Sequence, residues 1–190
     1  MPGLTFIIGG ARSGKSDYAA RAAEEAQGQV LFIATAQSLD EEMRSRIAAH
    51  KELRPASWRT LELPREVGGY LLEHPQDADM VVVDCLTLLI SNRLLDVTPD
   101  VDHPDEDVAR AVVEHEVGML LKAIDESRSR WLVVSNEVGQ GVVPAYPLGR
   151  LFRDLLGWAN KRLADKADEV ILMVAGIPVP VGQHRDRNSI

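Results

Sequence analysis

Residues 9–16 read Gly9-Gly10-Ala11-Arg12-Ser13-Gly14-Lys15-Ser16. They fit G-x-x-x-x-G-K-[ST], the pattern of a phosphate-binding loop. The flanks agree with it. An apolar run over residues 4–8 reads as a buried strand, and a helical pattern over 15–27 follows, with Gly28 as its stop. Glycines let the backbone wrap closely around phosphates, and the loop N–H groups and helix N-terminus then face the anion. In that geometry Lys15 reaches the β- and γ-phosphates and the Ser16 hydroxyl binds Mg²⁺.

Outward from the loop, apolar runs alternate with helical patterns. Strands are predicted over 30–34, 58–62, 80–84, 131–134 and 170–174, the last of these closing the core. Helices are predicted over 39–50, with Ser38 or Asp40 as cap, and over 66–73, 86–95 and 107–126. Val113, Val117, Leu120, Leu121 and Ile124 share one face of the long helix. Leu148, Leu151, Phe152, Leu155, Leu156, Ala159 and Leu163 stripe another helix. Residues 96–106 hold Pro99, Pro104 and five acidic residues and read as a solvated, mobile loop. Residues 136–147 form a loop rich in Gly and Pro, and 183–190 a polar, frayed tail. Strands alternating with helices imply parallel pairing. The predicted fold is a single three-layer α/β domain over 1–190, P-loop NTPase-like, with a mostly parallel central sheet. Ligands in such sheets bind beyond the carboxyl ends of the strands.

Bulk properties narrow the partners. A chain of 190 residues suits one core, and a composition of 45% hydrophobic and 26% charged residues suits a soluble globular domain. A formal net charge of −8 argues against a nucleic-acid backbone as partner, whereas a nucleotide needs only a local nest of N–H groups and one or two cations. The one cysteine, Cys85, excludes an internal disulfide and cysteine-based zinc spacing, and a reducing cytoplasm is expected. No segment approaches about 18 unbroken apolar residues, so neither a membrane span nor a signal segment is expected.

Asp84 follows four apolar residues, as the acid of a Walker B strand should, and is a second candidate Mg²⁺ ligand. The same residue could instead end its strand and cap the next helix. Cys85, not Glu, comes next. Without a water-activating acid there, the site suits transfer better than hydrolysis, and Cys85 reads as a small buried hydrophobe. The guanine motif N-K-x-D is absent: Asn160-Lys161-Arg162-Leu163 lacks the Asp and lies inside an amphipathic helix. A signalling GTPase is therefore not expected.

The segment Arg46-Ile47-Ala48-Ala49-His50-Lys51-Glu52-Leu53-Arg54-Pro55 sets a histidine among cations. Ala34-Thr35-Ala36 ends the second strand, Trp58-Arg59-Thr60 opens the third, and Ser135-Asn136-Glu137-Val138-Gly139 follows a later one. With the loop at 9–16, Glu-Glu-Met-Arg-Ser-Arg-Ile at 41–47, Val-Pro at 143–144 and the stretch 160–169, the chain resembles the bifunctional adenosylcobinamide kinase/adenosylcobinamide-phosphate guanylyltransferase family nearly end to end. The loop alone is unspecific; His-Lys-x-x-Arg-Pro and Asn-Glu-Val-Gly carry the resemblance.

That resemblance implies two reactions of cobalamin biosynthesis. An NTP, ATP or GTP, phosphorylates adenosylcobinamide. GMP is then transferred from GTP to adenosylcobinamide phosphate, giving adenosylcobinamide-GDP and pyrophosphate. His50 matches the histidine that carries GMP. Gly9 to Ser16, Ala34, Thr35, Ala36, Lys51, Glu52, Leu53, Arg54, Glu62 and Asp84 match the nucleotide-binding positions. A homo-oligomer, a trimer, is implied too. The residues suit the chemistry: a neutral imidazole attacks phosphorus near neutral pH, and nearby cations accept charge as pyrophosphate leaves. Two departures stand out. Ala49-His50 replaces a His-His pair of some relatives, and Asp84 replaces a Glu. His74, His103, His115 and His184 read as solvent-facing. Asn136, Glu137 and Gly139 either contact a substrate or nucleotide or serve as turn chemistry. The competing readings are a P-loop small-molecule kinase without guanylyl transfer and a nucleotide-dependent switch.

Overall fold

Apolar side chains alternate along the strands, and that alternation builds two cores on one sheet. The computed structural model describes residues 3–26, 28–38, 41–52 and 54–183. The elements run β1 (Gly3–Gly9), α1 (Lys15–Glu25), β2 (Val30–Ala34), α2 (Glu41–Glu52), β3 (Arg59–Glu62), α3 (Val67–Glu73) and β4 (Met80–Asp84), then α4 (Leu86–Val97), α5 (Glu106–Glu126), β5 (Arg130–Asn136), α6 (Pro147–Lys166), β6 (Glu169–Val174) and β7 (Ile177–Gln183). The seven strands lie in the order β3-β2-β4-β5-β1-β6-β7. All neighbours are parallel except β6 and β7.

Phe6, Ile33, Val83, Val133 and Val170 point to one face and pack against α3, α4, α5 and α6. Ile7, Phe32, Val82, Leu132, Val134 and Ile171 point to the other, where α1 supplies Ala19 and Ala23. The predicted apolar face of α5 is buried at Val113, Val117, Leu120 and Ile124, with Leu121 packed at its edge. The three-layer α/β domain is thus as the sequence indicates. Its parallel crossovers put the carboxyl ends of β1 to β6 on one edge, the edge that carries the motifs.

Several boundaries move. Gln27, Leu39, Asp40, Leu53 and residues 184–190, His184 among them, lie outside the described residues. The acidic loop is shorter than expected, because α4 runs on through Asp96 and Val97, and α5 begins at Glu106 under the Asp105 cap, whose Oδ1 accepts the Val108 N–H at 3.0 Å. Asp100 folds the loop by accepting the Asp102 N–H and holding His103.

The clear correction is β7. Residues 170–174 do not close the sheet, and Gln183 belongs to a strand rather than a tail. A two-residue turn at Ala175 (φ 50°) and Gly176 (φ 83°) sends the chain back antiparallel, as positive φ at both turn positions allows. Pro178 and Pro180 obscure this strand in the sequence, since proline cannot donate to a ladder; β7 tolerates them because it is an edge. Val174, Ile177, Val179 and Val181 stay exposed on it.

Candidate active site

The phosphate loop leaves β1 at Gly9 and enters α1 at Lys15. Gly14 takes φ 88°, a left-handed conformation that favours glycine and turns the chain into the helix. A Cβ at Gly9 would stand 2.6 Å from the Met173 carbonyl oxygen, so β6 presses against the loop's base. The loop is braced on both flanks. The Glu137 N–H donates to Gly9 O at 2.9 Å, and the Gly176 N–H of the β6–β7 turn donates to Ser13 O at 3.0 Å. Gly10, Ala11 and Arg12 are exposed, and Ser16 is partly so.

Lys15 is only 7% exposed. Its ammonium donates to Gly10 O at 2.6 Å and lies 3.4 Å from Ser13 Oγ. Burial pushes its pKa down, while Cys85 and Asp84 pull it back up. Lys15 therefore lies within the field of the Asp84 carboxylate. Cys85 is buried, and burial lifts its thiol to about 12, so it stays protonated and inert, as the sequence indicates.

Thr35 fixes the carboxyl end of β4. Its N–H donates to Asp84 O at 3.2 Å, and its hydroxyl both accepts the Cys85 N–H at 2.7 Å and donates to Cys85 O at 2.8 Å. Asn92 of α4 ties the same segment down, donating to Thr35 O and Pro64 O, each at 2.9 Å. Thr35 is completely buried and Ala34 nearly so; of the triplet 34–36, Ala36 alone is partly exposed.

The His50 segment approaches from the β2–β3 flank. His50 lies in the last turn of α2; its side chain lies outside the described ones. Lys51 and Glu62 form an ion pair across the carboxyl end of β3, while Glu52 is exposed. The Arg54 guanidinium sits 3.8 Å from the Phe32 ring centroid, and Phe32 stacks on Trp58 with centroids 6.1 Å apart. Arg54 Nη1 is buried with no hydrogen-bond partner among the described residues. Burial lowers the Arg54 pKa, opposed by the nearby charges of Asp84 and Glu62. Asp84 thus acts electrostatically on both the loop lysine and Arg54.

Sequence reasoning does not bring together three further residues. Thr87, Ser135 and Asn160 are buried at 6%, 0% and 6% exposure and bond to one another behind β5. The available signal was a polar residue inside an apolar stripe: Asn160 sits beside Leu156, Ala159 and Leu163. His74, His103 and His115 are exposed, as expected.

Comparison with known proteins gives the chain's fold and family. The RadB recombinase crystal structure superposes with a TM-score of 0.50 at 16% identity, over 90% of this chain and 73% of that one, which establishes the shared fold. The chain is 42% identical over 176 residues to the bifunctional adenosylcobalamin biosynthesis protein CobP of Pseudomonas aeruginosa, covering 93% of this chain and 95% of that protein. It is 39% identical over 180 residues to the bifunctional adenosylcobalamin biosynthesis protein CobU of Salmonella typhimurium, covering 94% and 99%. The CobU of Escherichia coli K12 is 38% identical over 181 residues, again covering 94% and 99%. The family model for cobinamide kinase / cobinamide phosphate guanyltransferase matches residues 5–181, and the chain belongs to that family.

Proposed function

We propose that this enzyme of cobalamin biosynthesis, a cobinamide kinase and cobinamide-phosphate guanyltransferase by family, joins its two reactions through a GMP adduct on His50. The supporting observation is strand placement: β2 carries Phe32, which Arg54 covers, and pairs Ala34 with Asp84, whose charge also acts on Lys15 of the phosphate loop. The loop and the histidine segment therefore serve one site at the carboxyl edge of the sheet.

In the kinase step the loop N–H groups and Lys15 hold the NTP phosphates. The aminopropanol hydroxyl of adenosylcobinamide attacks the γ-phosphorus, the bond to the β–γ bridging oxygen breaks, and the nucleoside diphosphate leaves. In the second reaction the neutral imidazole of His50 attacks the α-phosphorus of GTP, and the bond to pyrophosphate breaks. A phosphate oxygen of adenosylcobinamide phosphate then displaces the histidine, giving adenosylcobinamide-GDP. Arg54, whose Nη1 is buried and lacks a partner among the described residues, offers a donor to the phosphates in this step. Lys51 can turn from Glu62 to the departing pyrophosphate, and Glu62 then becomes an acceptor for the guanine or ribose.

Ser16 and Asp84 would hold Mg²⁺. Among the described residues no three His, Cys, Asp or Glu side chains stand together as a metal site. A hydroxyl and a carboxylate, completed by phosphates and water, suit this hard cation, which seldom takes an all-protein cage. When bound, Mg²⁺ supplies charge neutralisation at the phosphate oxygens. No helix among the described residues is long and apolar enough to cross a membrane; the reduced, buried Cys85 suits the cytoplasm. The homo-oligomer implied by the resemblance belongs to the same proposal, with the exposed row Val174, Ile177, Val179 and Val181 as the surface a second copy covers. Sedimentation as a monomer at micromolar concentration would remove that part.

The function is tested with Mg²⁺ and GTP labelled at the α-phosphate, a γ-labelled control and a His50→Asn variant. The expected result is acid-labile, alkali-stable α-label on the wild type, absent from the variant and from the γ control. No α-label on a protein that still binds GTP would sink the covalent mechanism and leave a kinase.

A further inference from the structure

Buried polar groups are costly unless they are fully paired, so a chain of them behind a strand calls for a reason. Thr87 in the first turn of α4, Ser135 on β5 and Asn160 in the middle of α6 form such a chain. Ser135 Oγ donates to Asn160 Oδ1 at 2.6 Å and lies 3.3 Å from Thr87 Oγ1. The two ends converge on one residue. Thr87 Oγ1 accepts the Asn136 N–H at 2.7 Å, and Asn160 Nδ2 donates to the Asn136 carbonyl at 3.0 Å. Both main-chain groups of Asn136 are therefore gripped by side chains, from two different helices.

The side chain of Asn136 is placed by the pleat. Ser135 turns toward α4 and α6, whereas Val134 packs with Ile7 and Ile171 in the α1 core. Asn136 therefore shares the α1 face with Val134. Strand register sets Asn136 beside Gly9, where the phosphate loop begins, and sets Asp84 beside Val134 on the other neighbour. Asp84 shares the face of Val82, the same α1 face. The Asn136 carboxamide thus stands between the root of the loop and Asp84. It has no hydrogen bond with the described residues. Glu137, the next candidate in the segment, spends its carboxylate on the Gly139 N–H at 2.5 Å.

Resting on the kinase reading above, we propose that the Asn136 carboxamide donates a hydrogen bond to the γ-phosphoryl group being transferred, and that Thr87 and Asn160 are positioning residues that aim it. A donor at that place meets charge that is present in ATP and absent from ADP.

The test compares ATP and ADP binding, together with phosphorylation of cobinamide, in the wild type and in Asn136→Ala, Thr87→Val and Thr87→Ser. If the wild type phosphorylates no cobinamide, the kinase reading fails, while the ATP-to-ADP affinity ratio still tests the contact. In Asn136→Ala, ATP affinity should fall about tenfold with ADP affinity held, as for one hydrogen bond to a charged group. Its kcat should fall about a hundredfold. Thr87→Val, which leaves the Asn136 N–H unpaired, should move the same ratio in the same direction, and Thr87→Ser should restore it. An unchanged ratio and kcat in Asn136→Ala would overturn the contact. Equal loss of ATP and ADP binding would overturn it too, because that result marks a disturbed loop and not a lost γ-phosphoryl donor.

Discussion

The phosphate loop and the carboxyl end of the helix carrying His50 both lie toward the carboxyl edge of the sheet, yet they are held in different ways. Ser13 and Lys15 are buried, β6 presses on Gly9, and main-chain bonds from Glu137 and Gly176 brace the loop on both flanks. In α2, by contrast, none of the described side chains is buried. Among the described residues its ties at the carboxyl end are Lys51 with Glu62, Arg54 on Phe32, and Phe32 on Trp58. The loop takes its shape from the folding of the core, while the histidine helix buries none of its described side chains. Damage to the first should therefore reach every nucleotide step, and damage to the second should be selective.

Lys15→Met tests the first half and carries the largest expected effect. Phosphorylation of cobinamide and α-labelling of His50 should both fall, by about a hundredfold or more, because a fixed cation is lost where phosphate charge gathers. The fold should survive, since burial already opposes the charged form of Lys15 and methionine fills a similar volume. Thermal unfolding checks that point. If α-labelling persists while the kinase reaction is lost, the loop serves one reaction only, and the comparison breaks at its stronger end.

How far each region is legible in the sequence follows the same division. The loop is a local motif between a strand and a helix, so residues 9–16 announce it and the structure places it there. The crossover pattern likewise announces the sheet. What fails to show is set by contacts remote in sequence. β7 hides behind Pro178 and Pro180, whose edge position is a property of the finished sheet. Thr35 matches a nucleotide-binding position, but its hydroxyl is engaged by Cys85, fifty residues on. Asn160 resembles a broken guanine motif and instead holds Asn136. The role proposed for His50 rests on resemblance alone, because a histidine among cations on a helix has no chemistry of its own until something fixes the helix. Phe32 reads as ordinary core, and nothing local pairs it with Arg54 and Trp58.

That last group gives the finer test of the comparison. Trp58 is only partly buried, and the chain turns just before it, the Trp58 N–H donating to Pro55 O at 3.0 Å. Its ring lies nearly parallel to Phe32, at 20°, while Arg54 covers Phe32 as well. The stack thereby joins the chain leaving α2 to the middle of β2. Trp58→Ala should cost about 1–2 kcal/mol of stability, from a partly buried aromatic and its ring pairing. Its selective effect should be on His50. The rate of α-labelling should fall about tenfold, roughly 1.4 kcal/mol in the barrier, with phosphorylation of cobinamide changed less than about twofold. Trp58→Phe should recover most of the loss, since a smaller ring still stacks on Phe32 and keeps Arg54 in place. An equal fall in both reactions would mean that the stack supports the whole crevice, and the two regions would then differ in packing without differing in function.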